Sequence, residues 1–588
     1  MNAQRLSYLD VLKAIAIIAV VLYHLGLLPY GYLGVDVFLV VGGFLATKSL
    51  LNRSRSDNGR GWYWTFLVDR VSRLLPVLLA AGVVAMAVGW FMMLPDDYEN
   101  LSQSVVATNF FANNILSAIT TGDYWDVVND YKPLMHTWYV GLLMQLYVLY
   151  PLLFLAAGLD RKNSLRTLLV IVSLLTVVSL LFYIGSSNDA HRFYFVPSRF
   201  FEFGVGGIIA LLYDPSEDRP FHPAFSFICY GVLLASLVVG YGLISDEARL
   251  VLVVALSSVV ILSAGSLNNR VTSNSYLSKI GVASFSIYVW HQVIIALWRY
   301  IFGNQFTAWE YVLILAFVAL ISFVSYTLIE KRVSAALHSR GLYVSISVAW
   351  LLLTLFAGYV YWNAGVIRDV PELSISKTDR HRRMNAEYTE RGYQYNKSFA
   401  SSDKQHWLVI GNSYGRDFMN VVMESSVADS VELSYINSRT SSVSDEKFQE
   451  RFSGADKVFV STRGLTRRFV SDVEVACFSS GLTPDKVIVV GDKSFGENIG
   501  PVYAKRQRKD YFEQTVEPLG GKDFLDRNLR FKEYYGDRFI DIMSMVTEGE
   551  RIRVFTPDHH FISPDGKHLT KDGARFFAER IDWGRLLE

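Results

Sequence analysis

Hydrophobic and polar positions divide this chain into two regimes. Mostly apolar runs lie near 9–28, 34–50, 74–94, 134–157, 166–185, 199–213, 225–244, 249–266, 280–302, 309–329 and 343–362. A spanning helix needs about 20 such residues. The pattern therefore predicts a multi-pass α-helical membrane domain of about 11 transmembrane helices over residues 1–363. The sixth run is short and contains Glu202. The first carries Asp10, Lys13 and His24 with no small-residue cleavage site after it, so it reads as a span and not as a cleaved signal peptide. Residues 364–402 are polar and read as an outer-side (periplasmic) linker, with Arg380-His381-Arg382-Arg383 as a solvated face or as a contact with anionic headgroups. Beyond it the period changes. Trp407-Leu408-Val409-Ile410, Lys457-Val458-Phe459-Val460-Ser461 and Lys486-Val487-Ile488-Val489-Val490 are short apolar runs separated by amphipathic stretches. Such runs suit parallel strands buried on both faces, which predicts an α/β three-layer domain over 403–588.

Charge sharpens this division. The 588 residues have a mean hydropathy of +0.25 and are 19% charged. The last 186 residues hold 27 Lys+Arg and 30 Asp+Glu, against 29 and 25 in the preceding 402. A formal net charge of +1 excludes a protein-wide basic footprint for nucleic acid. Two cysteines, Cys229 and Cys477, exclude a disulfide framework and a cysteine-based zinc site, and no metal is expected. Basic residues give the orientation. With the N-terminus cytoplasmic, that side holds Arg5, Arg53, Arg55, Arg60, Arg70, Arg73, Arg161, Lys162, Arg166, Arg219, Arg270, Lys279, Lys331, Arg332 and Arg340. The other side holds Lys132, Arg192 and Arg249. Its 95–133 loop is acidic, with Asp96, Asp97, Glu99, Asp123, Asp126 and Asp130. An odd number of spans then places the tail outside.

Polar residues inside spans are costly and are functional candidates. Asp10 and His24 lie fourteen residues apart, roughly 20 Å along a helix. That puts Asp10 near the cytoplasm and His24 towards the outer side. Arg70 and Arg73 are three apart and share a helix face, an arrangement suited to a phosphate-bearing ligand. Each has a plainer reading: His24 as an interfacial histidine, the arginines as topology markers, Asp10 as the partner of Lys13.

Several motifs recur in one order. They are Leu9-Asp10, His24, Gly34-Val35-Asp36-Val37-Phe38, Gly43-Phe44, Arg70-x-x-Arg73, His136-Thr137-Trp138, Gln145-x-Tyr147, Pro151, Arg199-x-x-Glu202 with Gly206, Ser284 to His291, and Tyr326-x-x-Ile329-Glu330. Over about residues 5–335 they resemble the integral-membrane acyltransferase family 3. The resemblance implies acyl transfer from a cytoplasmic acyl-CoA to an extracytoplasmic acceptor, usually a carbohydrate, and it matches His24, Arg70 and Arg73 to essential residues of the family. The chain departs from the family pattern at Leu143, where many members have Glu, and at Gly42, where many have Ser.

In the tail, Gly411-Asn412-Ser413-Tyr414-Gly415 follows the first strand run and precedes a helical stretch. A serine there is expected to be exposed at the sheet's C-terminal edge, where a helix N-terminus favours a developing oxyanion. Asp565 and His568 lie three apart in Ser563-Pro564-Asp565-Gly566-Lys567-His568, so the carboxylate can hold one ring nitrogen while the other accepts a serine proton. His559 and His560 are competing bases with poorer Asp spacing. Ser turn and Asp-x-x-His together resemble the SGNH hydrolase family across 403–588, with Ser413, Asp565 and His568 matching its nucleophile, acid and base. Asn412 stands where that family usually has Asp, and no Gly-x-Asn-Asp block is present. Gly464 and Asn437 are the candidates for further oxyanion donors.

A fusion of these modules resembles surface-polysaccharide O-acetyltransferases. The mechanism we expect on that resemblance has acetyl-CoA as donor substrate at Arg70 and Arg73, His24 as base or transient acyl carrier, and Ser413 as second-step carrier. The acceptor it implies is a surface glycan (lipopolysaccharide O-antigen or another polysaccharide), free or lipid-linked, at an inner membrane. The alternatives are a module feeding a glycan esterase, a tail that only holds the glycan, and a carbohydrate transporter with an inert tail.

Overall fold

The computed structural model describes residues 7–56, 61–120, 128–158, 164–213, 223–239, 244–263, 276–335, 339–400, 403–438 and 448–588. They form two units, Met1–Phe91 with Tyr98–Tyr361, and Met92–Asp97 with Trp362–Glu588. In the first, each apolar run falls on a helix: α1 Ser7–His24, α2 Gly34–Ser56, α3 Gly61–Met92, α4 Trp138–Ala157, α5 Ser164–Gly185, α6 Val196–Leu212, α7 Pro223–Val238, α8 Asp246–Ser263, α9 Ser284–Phe302, α10 Ala308–Ser325 and α11 Arg340–Trp362. Among the described residues, eight helices are long and apolar enough to cross a membrane. A ninth qualifies if Tyr276–Val282 and α9, bent by 75° at their junction, form one span. The expected eleven are not reached on these criteria. The α7 helix has only 16 residues, and α8 opens with Asp246, Glu247 and Arg249. Arg5, Arg60, Asp123, Asp126, Arg161, Lys162, Arg219, Arg270 and the Arg55 side chain, all used in the orientation argument, lie outside the described residues.

Lipid offers helices no hydrophobic reason to associate, so small residues that admit backbone contact take that part. A Cβ at Gly43 of α2 would lie 1.9 Å from the Phe203 carbonyl oxygen of α6, and one at Gly206 would lie 2.0 Å from that of Val40. Between these helices sits a buried ion cluster. Arg199 Nη1 donates to Asp36 Oδ1 at 2.9 Å and to Glu202 Oε1 at 2.7 Å. The shared guanidinium offsets part of the cost of burying two carboxylates.

The second unit is α/β. Its strands are β1 Gln405–Gly411, β2 Val431–Asn437, β3 Lys457–Ser461, β4 Val487–Val490, β5 Thr515–Val516, β6 Phe539–Ile540, β7 Thr547–Glu548 and β8 Arg551–Arg553. Five form a parallel sheet in the order β2-β1-β3-β4-β6. The other three form a small antiparallel sheet, β5-β8-β7. Side chains alternate across a strand. Trp407, Val409, Phe459 and Ile488 enter one core, and Leu408, Ile410, Val458 and Val489 enter another. Both faces of the sheet are therefore covered, which is why these strands read as continuous apolar runs. The polar segment expected as a linker contributes Val366, Val370, Leu373 and Ile375 to the first of those cores. Its Arg391 pairs with Glu424 at 3.0 Å, and Arg382 of the basic cluster pairs with Glu387 at 2.8 Å. Cys229 and Cys477 are free and buried.

Candidate functional site

Two places in the molecule concentrate chemistry. In the membrane unit a cavity of about 130 Å³ is bounded by α1, α2, α3, α4 and α9. Lys13, Arg70 and Arg73 are its cationic lining residues, and Phe38, Val41, Leu45, Val140 and Phe285 supply apolar surface. Gly42 and Leu143, the two departures from the family pattern, also line it and bring no polar side-chain atom.

The two arginines have different surroundings. Arg73 Nη2 donates to Glu330 Oε1 at 3.1 Å, and Ser286 Oγ donates to Glu330 Oε2 at 2.8 Å. Glu330 closes a π-helical turn, Tyr326–Glu330, a feature frequent at functional sites. Arg70 forms no ion pair or hydrogen bond among the described residues. Its guanidinium lies 4.8 Å from the Phe66 ring centre and 5.1 Å from that of Tyr147, and its buried Nε has no partner. Asp10 does pair with Lys13, at 2.7 Å.

His24 is not on the cavity wall. It ends α1, and its ring centre lies 5.1 Å from that of His291, which lies 5.2 Å from His136. Tyr288 joins the two places. It lines the cavity, and its ring centre is 5.7 Å from His291 and 5.2 Å from His136. Arg299 Nη2 donates to the His24 carbonyl at 2.8 Å and anchors the end of α1. His136 and His291 stand in quoted motifs, yet sequence reasoning gave them no role. Nothing in their spacing shows that positions 24, 136 and 291 converge.

The second place is the C-terminal edge of the parallel sheet. Gly411 ends β1, and a Cβ there would lie 1.7 Å from the Ser461 carbonyl oxygen at the end of β3. Only glycine admits that approach. Asn412 then caps the helix Ser413–Met423, its Oδ1 accepting from the Tyr414 N–H at 3.0 Å and the Arg463 N–H at 3.3 Å. Strand order reverses around β1, with β2 on one side and β3 on the other, so Ser413 stands at the switch point where open α/β sheets bind ligands. The expectation of an exposed serine needs correcting. Ser413 is only 4% exposed; it follows Gly411, whose backbone packs against the Ser461 carbonyl.

The Asp-x-x-His turn has the expected contact. Asp565 Oδ1 accepts from the backbone N–H groups of Lys567 and His568, both at 2.8 Å. His568 Nδ1 donates to Asp565 Oδ2 at 2.5 Å, which leaves Nε2 as the basic nitrogen. Burial would raise the Asp565 carboxyl, but the His568 ring and these N–H groups outweigh it and hold it well below the usual carboxylate range. The competing histidines are engaged elsewhere. His560 Nδ1 lies 3.3 Å from Asp572 Oδ2, and His559 stacks on Phe512 at 4.0 Å. The Gly464 N–H, a candidate oxyanion donor, is taken by Asp492 Oδ2 at 3.0 Å. Asn437 ends β2 in register with Gly411.

Among the described residues no hydrogen bond joins Ser413 to His568. The two are tied through Lys493, which sequence reasoning missed. Its buried ammonium meets Asp417 Oδ2, on the Ser413 helix, at 2.8 Å. It also donates to the Lys567 carbonyl, in the Asp565–His568 turn, at 2.8 Å. Burial lowers this ammonium from its ordinary value, and Asp417 opposes that. Asp96, on the segment Met92–Asp97 of the same unit, accepts from Asn385 Nδ2 at 3.1 Å. Burial raises its carboxyl; the Asn385 bond opposes this, and Asp565 adds to it.

A family model described as an acyltransferase domain, that of acyltransferase family 3, matches residues 6–327, more than half of the chain. The chain belongs to this family of acyltransferases. Among its relatives is a Staphylococcus aureus protein named "Putative O-acetyltransferase", 27% identical over 361 residues, 57% of this chain and 59% of the relative. The chain thus spans about three fifths of that protein's length. Peptidoglycan O-acetyltransferase OatA of Listeria monocytogenes is 26% identical over 345 residues, 55% of each chain. A Komagataeibacter xylinus protein named "Putative membrane-bound transacylase BcsY" is 28% identical over 347 residues, 57% of this chain and 86% of the relative. No solved structure matches.

Proposed function

We propose that this protein is an O-acetyltransferase of an inner membrane. It takes acetyl from cytoplasmic acetyl-CoA and delivers it to a hydroxyl of a surface glycan such as lipopolysaccharide O-antigen. Residues 1–363 act as the membrane transferase and 403–588 as an SGNH hydrolase-like second module on the outer side. The observation that carries the reading is the cavity, lined by three cationic side chains and by apolar ones. A CoA thioester divides the same way, into phosphates and a short acyl group. Arg70, which forms no ion pair among the described residues, takes the phosphate, and Arg73 is oriented beside it by Glu330. The Listeria relative, named for peptidoglycan, supports a surface polymer as acceptor class.

Transfer runs in two steps. In the first, with His24 as transient carrier, a ring nitrogen bonds the acyl carbon as the thioester C–S bond breaks, and the thiolate takes the proton that the acylated ring gives up; with His24 as base, the ring takes the proton of the hydroxyl that attacks the acyl carbon and returns it to the departing thiolate. In the tail, His568 Nε2 takes the Ser413 Oγ proton as Oγ bonds the acyl carbon, and passes it to the group that delivered the acetyl as that group's bond to the acyl carbon breaks. A sugar hydroxyl then attacks and passes its proton to His568. Ser413 recovers a proton as its ester bond breaks. Asp565 holds the ring in the required tautomer.

The test is the acetyl content of surface glycan, read by mass spectrometry, in cells carrying wild type, His24→Ala or Ser413→Ala. Both variants are expected to lose the added ester while the protein stays in the membrane. Normal acetylation in Ser413→Ala cells would make the membrane unit the complete transferase. Increased acetylation there would make the tail an esterase.

A further inference from the structure

His24, His136 and His291 come from three distant parts of the chain and meet with ring centres 5.1 and 5.2 Å apart. Two of these rings have one fixed nitrogen each. His136 Nε2 lies 3.0 Å from the Val289 carbonyl. His291 Nδ1 lies 2.6 Å from the Tyr288 carbonyl and 3.2 Å from that of Ile287. A carbonyl only accepts, so these nitrogens carry the protons, and the other nitrogen of each neutral ring is a lone pair. Those lone pairs, His136 Nδ1 and His291 Nε2, are buried and have no hydrogen-bond partner among the described residues. A buried acceptor left unmet is costly, and an apolar residue would fill either position without that cost. The nearby charges do not serve instead. Arg299 holds its proton permanently, and Asp130 lies against Arg299 at 3.7 Å. The three rings do not form a metal-holding group among the described residues.

We propose that His291 and His136 form with His24 a single proton-holding site for acyl transfer, His24 exchanging its proton with the free nitrogen of His291 and, through it, with that of His136. This rests on the reading of His24 given above. Only a proton moves through the site. It leaves the attacking hydroxyl as that oxygen bonds the acyl carbon, resides on the imidazoles, and returns to the thiolate released when the C–S bond breaks. Tyr288, on the wall of the cavity and beside both partner rings, places the site next to the bound thioester.

The test uses the full chain in inside-out vesicles of the expressing cells, with radiolabelled acetyl-CoA as donor and the vesicles' own surface polymer as acceptor. Alkali-labile label fixed in polymer is the readout. His291→Ala is expected to lower the maximal rate by about 10²-fold or more, with the half-saturating acetyl-CoA concentration unchanged and with partial recovery on adding imidazole. His291→Gln, whose amide can still donate to the Tyr288 carbonyl, should show the same loss, which separates lost chemistry from lost packing. His136→Ala should lose rate in the same direction. An unchanged rate in His291→Gln, or a loss in His291→Ala that imidazole does not relieve, overturns the proposal while leaving His24 in its role if His24→Ala is inactive. Full activity in His24→Ala overturns both readings.

Discussion

Asp565 shows how a few backbone groups set the state of one side chain. Two N–H groups and the His568 ring converge on it, and its carboxyl is depressed despite burial. A depressed carboxyl contributes stability that is fully present above its unfolded value, about 4, and is lost as pH falls through its lower folded value. Asp565→Asn should therefore weaken the acid dependence of unfolding of the full chain in detergent, followed by circular dichroism. Superimposable acid titrations would refute the depressed state. The same variant should cut p-nitrophenyl acetate turnover by about 10²- to 10⁴-fold, because the ring loses its orienting carboxylate. In the membrane unit the two arginines should separate. Arg70→Ala is expected to weaken acetyl-CoA binding more than Arg73→Ala, whose charge Glu330 already offsets. Calorimetric titration of both variants checks this, and equal losses would remove the distinction.

Whole elements are held by contacts that a single atom can spoil. The α2 and α6 helices touch through Gly43 and Gly206, where a methyl group would meet a carbonyl oxygen at 1.9 and 2.0 Å. Gly206→Ala should destabilise the membrane unit by roughly 1–3 kcal/mol. Gly231→Ala, where nothing lies within 4 Å, should leave it unchanged or slightly more stable. Thermal melting in detergent compares them, and equal melting points would mean that α2 and α6 can separate without cost. In the α/β unit, Lys493→Met strands the buried Asp417 carboxylate, at an expected cost of about 3–5 kcal/mol. Adding Asp417→Leu should recover part of that loss in denaturant titrations. A double variant as unstable as the single would show that the pair contributes shape and not charge balance.

For the molecule as a whole, the side on which the tail lies follows from the parity of the crossings. Among the described residues eight helices pass on length and apolarity, and the bent pair makes nine if it forms one span. An odd number of crossings would put the tail on the side opposite the N-terminus, the orientation expected from the distribution of basic residues. A reporter active only outside the cytoplasm, fused after Glu588, should be active. Cytoplasmic activity of a complementary reporter would mean an even number of crossings and would remove the acceptor-side role of Ser413.

The features legible in the chain are those that depend on near neighbours. Apolar runs announce helices because lipid exposure demands apolar side chains wherever the helix packs. The β1, β3 and β4 strands were legible because both their faces are buried. The β2 strand was not, since Val431-Glu432-Leu433-Ser434-Tyr435 alternates, and β6 has only two residues. Asp565 and His568 meet within one turn, so their spacing revealed their contact. Packing alone decided that Glu330 would reach Arg73 across 257 positions, that Asp492 would occupy the Gly464 N–H, that Lys493 would bridge the Ser413 helix to the His568 turn, and that three histidines would share one place. Periodicity reports which face of an element avoids water. It carries no record of which distant element will cover that face, and these contacts arise only once the elements are packed together.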